Sequence, residues 1–269
     1  MLPRLIATDL DGTFLDVNGA YNRQKFDAIL GEMKARGSRF VVTTGDPLDH
    51  VQALFAPLRN REQLTYVVED GALITTASGS QLQMTTLPQL HWQTAVSWLE
   101  MTPIMAGCFI IVCGAERAYT TLPADSQRFA ESREFYPSLT SVVDLTTVSA
   151  AILKLDITWL RTDVVAQVAA FNTRFAGELV GVSSGLGGMN VSLPQVSKAA
   201  GLAFLGQQWG ITPAEMAAFG DSGNDLTMLQ LVGQGFAVAN AAPELATQPH
   251  LKGTNEQGAV MAQIAEWLV

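Results

Sequence analysis

Leu5-Ile6-Ala7-Thr8-Asp9-Leu10-Asp11-Gly12-Thr13 decides the fold. Residues 5–10 form a mostly apolar run that stops at polar residues, the pattern of a strand buried on both faces. Working outward, Phe26, Ile29, Leu30 and Met33 recur at helical spacing, and Gly37 sits just past the end like a C-terminal cap. A second strand is expected over 40–44, a second helix over 47–58 and a third strand over 66–69. Strands alternating with helices predict a parallel sheet with helices on its faces.

The middle of the chain reads differently. It carries a helical stretch at 90–99, β-prone runs at 108–112 and 152–159, a helical pattern at 164–175 and a Gly/Ser-rich passage at 181–188. The α/β style then returns, with a helix after Lys198, a strand at 216–219, a helix from Asn224 and a strand at 235–238. The expected organisation is therefore a core of residues 1–82 and 187–269, interrupted by a separate α+β unit over 83–186. No internal repeat or low-complexity segment is visible.

The chain has 269 residues, 48% hydrophobic and 15% charged, which excludes a disordered chain. Its net charge of −9 argues against a nucleic-acid or anionic-membrane surface. It does not argue against a small phosphorylated ligand, because one local site or bound cation can reverse the field. Asp9 and Asp11 stand where a secretion signal would need apolar residues, and no apolar run approaches the roughly 18 residues of a spanning helix. The expectation is a cytoplasmic protein with no nucleic-acid or membrane partner. Cys108 and Cys113 read as buried thiols, and Trp92 and Trp98 as packing residues. His50, His91 and His250 are too isolated in sequence to read as metal ligands.

The chemistry-bearing residues stand at the ends of strands. Asp9 and Asp11 are two apart, so in an extended chain both carboxylates point to one side, beyond the sheet edge where α/β proteins bind ligands. One such carboxylate can attack phosphorus while the other handles the leaving-group proton. Turn chemistry at Asp-Gly is the competing reading. Thr44 and Gly45 offer a hydroxyl and an amide to a phosphate oxygen. Asp221 and Asp225 are four apart at a helix entry with Asn224 beside them, a donor set that suits Mg²⁺; an ordinary helix cap is the alternative. Lys198 opens a helix, where a cation opposes the macrodipole, which suggests a role beyond the helix itself.

Together these motifs resemble the haloacid dehalogenase superfamily, in its Cof-like type IIB branch. The resemblance rests on Asp9-Leu10-Asp11-Gly12-Thr13-Phe14-Leu15 paired with Gly220-Asp221-Ser222-Gly223-Asn224-Asp225-Leu226-Thr227-Met228-Leu229. Glu69-Asp70-Gly71-Ala72 and Gly253-Thr254-Asn255-Glu256-Gln257-Gly258 also look like segments of that branch. The resemblance implies a Rossmann-like parallel-sheet core with an inserted α+β cap of the C2B type. It implies a Mg²⁺-dependent phosphatase acting on a small phosphorylated metabolite, with a sugar phosphate as the family-level expectation. Asp9 would be the nucleophile forming an aspartyl-phosphate, and Asp11 the general acid/base. Thr44, Gly45, Lys198 and Asn224 would hold the phosphoryl group. Mg²⁺ would be bound by Asp9, Asp221 and the backbone carbonyl of Asp11, with Asp225 orienting the lysine and metal shell. The cap would close over the rest of the substrate.

A phosphomutase uses the same two acids and stays open, as does a catalytically weak small-molecule-binding protein. A dehalogenase would lack the second acid. One departure from the branch is Asp46, where an Arg usually follows the Thr-Gly; another is Ala199 after the lysine in place of Gly. Asp46 before Pro47 suits a helix cap, whereas its charge would disfavour a second anionic group on the substrate. Asp46→Asn separates the two, because Asn caps nearly as well without the charge. A cap alone predicts unchanged stability and KM. A charge effect predicts a lower KM for polyanionic phosphates and an unchanged one for singly phosphorylated neutral sugars.

Overall fold

A computed structural model describes residues 2–159, 163–184 and 187–269. In chain order the first elements are strand β1 (Leu5–Thr8), helix α1 (Arg23–Ala35), β2 (Arg39–Thr43), α2 (Leu48–Phe55) and β3 (Leu64–Val68). β4 (Leu73–Thr76), β5 (Gln81–Met84), α3 (Gln89–Met101), β6 (Cys108–Gly114) and β7 (Ala118–Thr120) follow. Next come α4 (Gln127–Phe135), β8 (Thr140–Ser141), β9 (Ile152–Trp159), α5 (Val165–Arg174), β10 (Val180–Ser183) and β11 (Gly188–Ser192). The chain ends with α6 (Lys198–Trp209), β12 (Met216–Gly220), α7 (Leu226–Leu231), β13 (Gln234–Ala237) and α8 (Ala259–Leu268). It divides into two compact units, Met1–Gly45 with Val51–Gln83 and Ser197–Val269, and Asp46–His50 with Met84–Val196. The expected end of the insertion, residue 186, lies outside the described residues, as does part of the Gly/Ser-rich passage.

The first unit holds a seven-stranded sheet among the described residues, in the order β13-β12-β1-β2-β3-β4-β5. β13 through β3 run parallel, and β4 returns antiparallel to β3. β1 is wholly buried between β12 and β2, which is why its sequence is apolar on both faces. One face packs Leu5, Ala7, Val41 and Val67 against Leu202 and Leu205 of α6 and Met228 of α7. The other is lined by aromatic side chains: the Phe26 ring lies 4.8 Å from that of Phe14 and 4.9 Å from that of Phe40. Edge-on packing of such rings adds to their area burial.

The strand order fixes where a ligand can bind. From β1 the chain steps one way to β2 and β3 and later returns to β12 on the other side. A parallel sheet opens a crevice at the carboxyl ends of the strands where its order reverses. Asp9, Thr44 and Asp221 each follow one of those strand ends. α2 begins at Leu48, one residue later than expected. Pro47 thus precedes the first helical residue, with Asp46 one position further out.

The second unit holds a six-stranded sheet among the described residues, in the order β10-β11-β9-β6-β7-β8, antiparallel except between β7 and β8. α3 and α5 cover one face through Trp92, Val96, Leu99 and Phe171, with Trp98 packed 5.5 Å from the Phe175 ring. The tryptophans are thus packing residues. α4 lies against the opposite face through Phe129, beside Ile111, Cys113 and Tyr136. Both cysteines are free thiols, and Cys113 is buried while Cys108 is half-buried. Burial pushes the Cys108 thiol up to about 11, far from the thiolate a redox or metal role needs. No helix among the described residues is long and apolar enough to cross a membrane.

Candidate active site

β1 ends at Thr8, and the chain then turns sharply. The Leu10 carbonyl accepts hydrogen bonds from the backbone N–H groups of Thr13, Phe14 and Leu15. This winds the Asp9–Thr13 loop into a tight knot directly above the strand. Gly12 makes the knot possible: its φ is +75°, and a Cβ there would lie 2.5 Å from Asp221 Oδ2. The Thr13 hydroxyl donates to Asp221 Oδ1 at 2.9 Å, tying the loop after β1 to the loop after β12.

Lys198 enters from the third side. Ser197 caps α6 by accepting from the Ala200 N–H, so Lys198 is the first residue of that helix. Its side chain is 1% exposed, and its Nζ lies 2.6 Å from Asp9 Oδ1 and 2.7 Å from Asp225 Oδ1. The other Asp225 oxygen accepts from the backbone N–H groups of Asp221 at 3.0 Å and Ser222 at 3.2 Å. Asp225 is thereby fully engaged in holding the lysine and its own loop. Asn224 donates from Nδ2 to Asp70 Oδ1 at 3.4 Å, and its Oδ1 accepts from the Ser222 hydroxyl at 2.7 Å. Thr44 is buried at the end of β2, its N–H donating to the Val67 carbonyl at 2.9 Å. The Asp11 side chain is exposed.

The electrostatics follow from this crowding. Asp9, Asp221 and Asp225 can each bring a carboxylate oxygen within 4.8 Å of the others. Burial, and then Asp225 and Asp221, raise Asp9 well above the usual carboxylate range despite the neighbouring ammonium. Burial by itself would lower Lys198, but the carboxylates of Asp225, Asp9 and Asp70 overcome it and hold the ammonium firmly protonated. Asp221 is raised as well, by burial and then by Asp225. In this cluster three carboxylates face one lysine ammonium, so the donor set lacks positive charge. With Asp225 taken up by Lys198 and backbone amides, Asp9 and Asp221 are the carboxylates that fit a divalent cation.

The model for haloacid dehalogenase-like hydrolases matches residues 6–264 of this chain. The chain belongs to that family. A 5-amino-6-(5-phospho-D-ribitylamino)uracil phosphatase of Escherichia coli K12 is 32% identical over 260 residues, covering 96% of this chain and 93% of the relative. An HMP-PP phosphatase of Serratia proteamaculans is 26% identical, covering 98% and 95% of the two chains. A crystal structure of a Streptococcus mutans protein superposes with a TM-score of 0.91 at 27% identity, over 99% of each chain. With these phosphatase relatives, the protein is a phosphoric monoester hydrolase of the haloacid dehalogenase superfamily.

The hydrolase fold brings Asp9, Asp221, Asp225 and Lys198 into one cluster, with Asn224 joined to it through Ser222 and the Asp225 loop. Four contributors went unassigned in the sequence. Thr13 braces Asp221, and Asp70 meets Asn224. Asn240 donates to the Gly12 carbonyl at 2.8 Å, and Asn255 holds the same loop by donating to the Leu15 carbonyl at 2.8 Å. Thr13, Asp70 and Asn255 lie inside motifs of the sequence, so a polar side chain within a motif was the available signal; Asn240 lies outside them. Lys198→Met tests the charge balance, because it removes the ammonium and leaves two buried carboxylates uncompensated. Urea unfolding at pH 7 should show a loss of about 3 kcal/mol or more, shrinking as the pH falls through the raised range in which the buried Asp9 carboxylate takes up its proton, above the usual carboxylate value of about 4. Equal stability at neutral pH would contradict the ion cluster.

Proposed function

We propose that this hydrolase cleaves the phosphate monoester of a small polyhydroxylated metabolite through an aspartyl-phosphate on Asp9. The observation that carries the reading is Asp9 at the end of β1, held 2.6 Å from Lys198 and clustered with Asp221 and Asp225. Mg²⁺ would be held by Asp9, Asp221 and the backbone carbonyl of Asp11, and when bound it would supply the positive charge that lets a carboxylate meet a phosphate dianion.

In this reading Asp9 attacks phosphorus through one oxygen, and the bond to the leaving oxygen breaks. Asp11, exposed beside it, gives its proton to that oxygen. Water then attacks the phosphorus of the acyl phosphate while Asp11 takes a proton back, releasing inorganic phosphate and restoring the Asp9 carboxylate. Thr44, Gly45, Asn224 and Lys198 hold the phosphoryl oxygens, and Asp225 keeps the Lys198 ammonium aimed at Asp9. The inserted unit is assigned the reading of the non-phosphate part. A sugar or sugar-alcohol phosphate is favoured, in keeping with the phosphorylated ribityl arm named in the Escherichia coli relative's substrate.

A panel of sugar, nucleotide and cofactor phosphates assayed with Mg²⁺ and with EDTA tests this function. Phosphate release should require the metal, and Asp9→Asn should abolish turnover while leaving the circular dichroism unchanged. Turnover by Asp9→Asn, or equal rates with and without the metal, would overturn the reading.

A further inference from the structure

β3 ends at Val68 and runs into a tight turn over Glu69–Gly71. Three consecutive residues there have left-handed backbone, with φ of 52° at Glu69, 56° at Asp70 and 108° at Gly71. Side chains rarely adopt such angles, and two non-glycine residues in succession do so when their surroundings impose it. The surroundings are plain. The Asp70 N–H donates to the Thr44 carbonyl at 3.0 Å, and the Ala72 N–H to the Glu69 carbonyl at 3.1 Å. On the other side, a Cβ on Gly71 would lie 2.3 Å from the Ser197 carbonyl oxygen. The turn is therefore wedged between the end of β2 and the residue that precedes Lys198.

This wedge delivers the Asp70 carboxylate to Asn224. Asp70 Oδ1 accepts from Asn224 Nδ2 at 3.4 Å, while Ser222 Oγ donates to Asn224 Oδ1 at 2.7 Å. The two contacts fix which way the Asn224 amide faces, oxygen toward Ser222 and nitrogen toward Asp70. A primary amide nitrogen carries two hydrogens. One goes to Asp70, and the other is directed away from that carboxylate, where an anionic oxygen can accept it. Glycine would hold this backbone without strain, so the strain accompanies a side chain rather than the turn itself.

We propose that Asp70 is a positioning residue, whose carboxylate orients the Asn224 side-chain amide toward the phosphoryl group of the substrate. This rests on the reading of Asn224 as a phosphate ligand. In this proposal Asp70 reaches the phosphoryl group through Asn224, beside its charge's support of the Lys198 ammonium, and the left-handed turn is what brings it within reach of the amide.

The experiment measures competitive inhibition by inorganic phosphate, kcat and KM separately, and the melting temperature. The variants are Asn224→Ala, Asp70→Gly, Asp70→Asn and the double variant Asp70→Gly/Asn224→Ala. Asn224→Ala should weaken phosphate inhibition about tenfold, the scale of one hydrogen bond to a charged group. Asp70→Gly relieves the backbone strain yet removes the acceptor, so inhibition should weaken about 3- to 10-fold with the melting temperature held or raised. Asp70→Asn tolerates the same backbone and keeps an acceptor oxygen, so it should return to within about twofold of the unmodified enzyme. The double variant should be no worse than Asn224→Ala, because both substitutions remove one interaction. Inhibition unchanged in Asp70→Gly, equal losses in the Gly and Asn variants, or additive losses in the double variant would overturn the proposal. If Asn224→Ala itself leaves phosphate inhibition unchanged, the reading of Asn224 fails and takes the proposal with it. That failure is distinct from one in which Asn224 matters and Asp70 does not.

Discussion

The Lys198 ammonium, buried between Asp9 and Asp225, is the interaction on which the rest of the structure depends. Removing a lysine and two carboxylates from water is costly, and apolar residues of similar size often give as much stability. The cluster is therefore better understood as a device for placing charge. It joins groups 189 and 27 residues apart in sequence, so the first strand and the last third of the chain must fold together for it to exist. Lys198 sits at the first turn of α6, against the macrodipole, and two carboxylates offset that disadvantage. The same lysine leaves the cluster short of positive charge, since both Asp221 and Asp9 stay raised despite it.

The sheet turns this constraint into a site. β1 is central and buried on both faces, so the loop that leaves it has nowhere to go but the crevice at the strand ends. Gly12 lets that loop fold back onto Asp221, and Thr13 fastens it there. Asn240 and Asn255 hold the loop from the C-terminal segment, and Glu256 accepts from the Val17 N–H at 2.7 Å. The segment Gly253 to Gly258 is thus a clamp on the loop that follows β1. Binding chemistry and fold stability are shared by the same few hydrogen bonds, which is how a crowded acidic cluster persists.

The parallel core was legible because its strands are buried on both faces and therefore read as apolar runs: the expectations for β1, β2 and β12 each fall within two residues of the structure. β9 coincides with its expected span, Ile152–Trp159, since its Leu and Ile residues form an unbroken β-prone pattern. α4 was not legible. Its sequence, Gln-Arg-Phe-Ala-Glu-Ser-Arg-Glu-Phe, buries just Phe129 and Ser132, so no apolar stripe announces it; the cap at Ser126 was the local signal. β5 is mostly exposed and has no apolar alternation to read. The acids and the lysine were visible as residue types at strand and helix ends. Spacing did not show their pairing, and only the resemblance implied that Asp225 orients the lysine. The Asp70 contact was not implied at all, because partners 154 residues apart leave no spacing to recognise.

The central claim is that Asp9, held by Lys198, carries the phosphoryl group covalently. An acid-quenched single turnover with enzyme in excess over a phosphate ester, followed by peptide mass spectrometry, tests it most directly. The account predicts a phosphoryl group on the peptide containing Asp9, formed before inorganic phosphate appears. Phosphorylation of another residue, or substrate consumed with no phosphorylated peptide at any quench time, would contradict it.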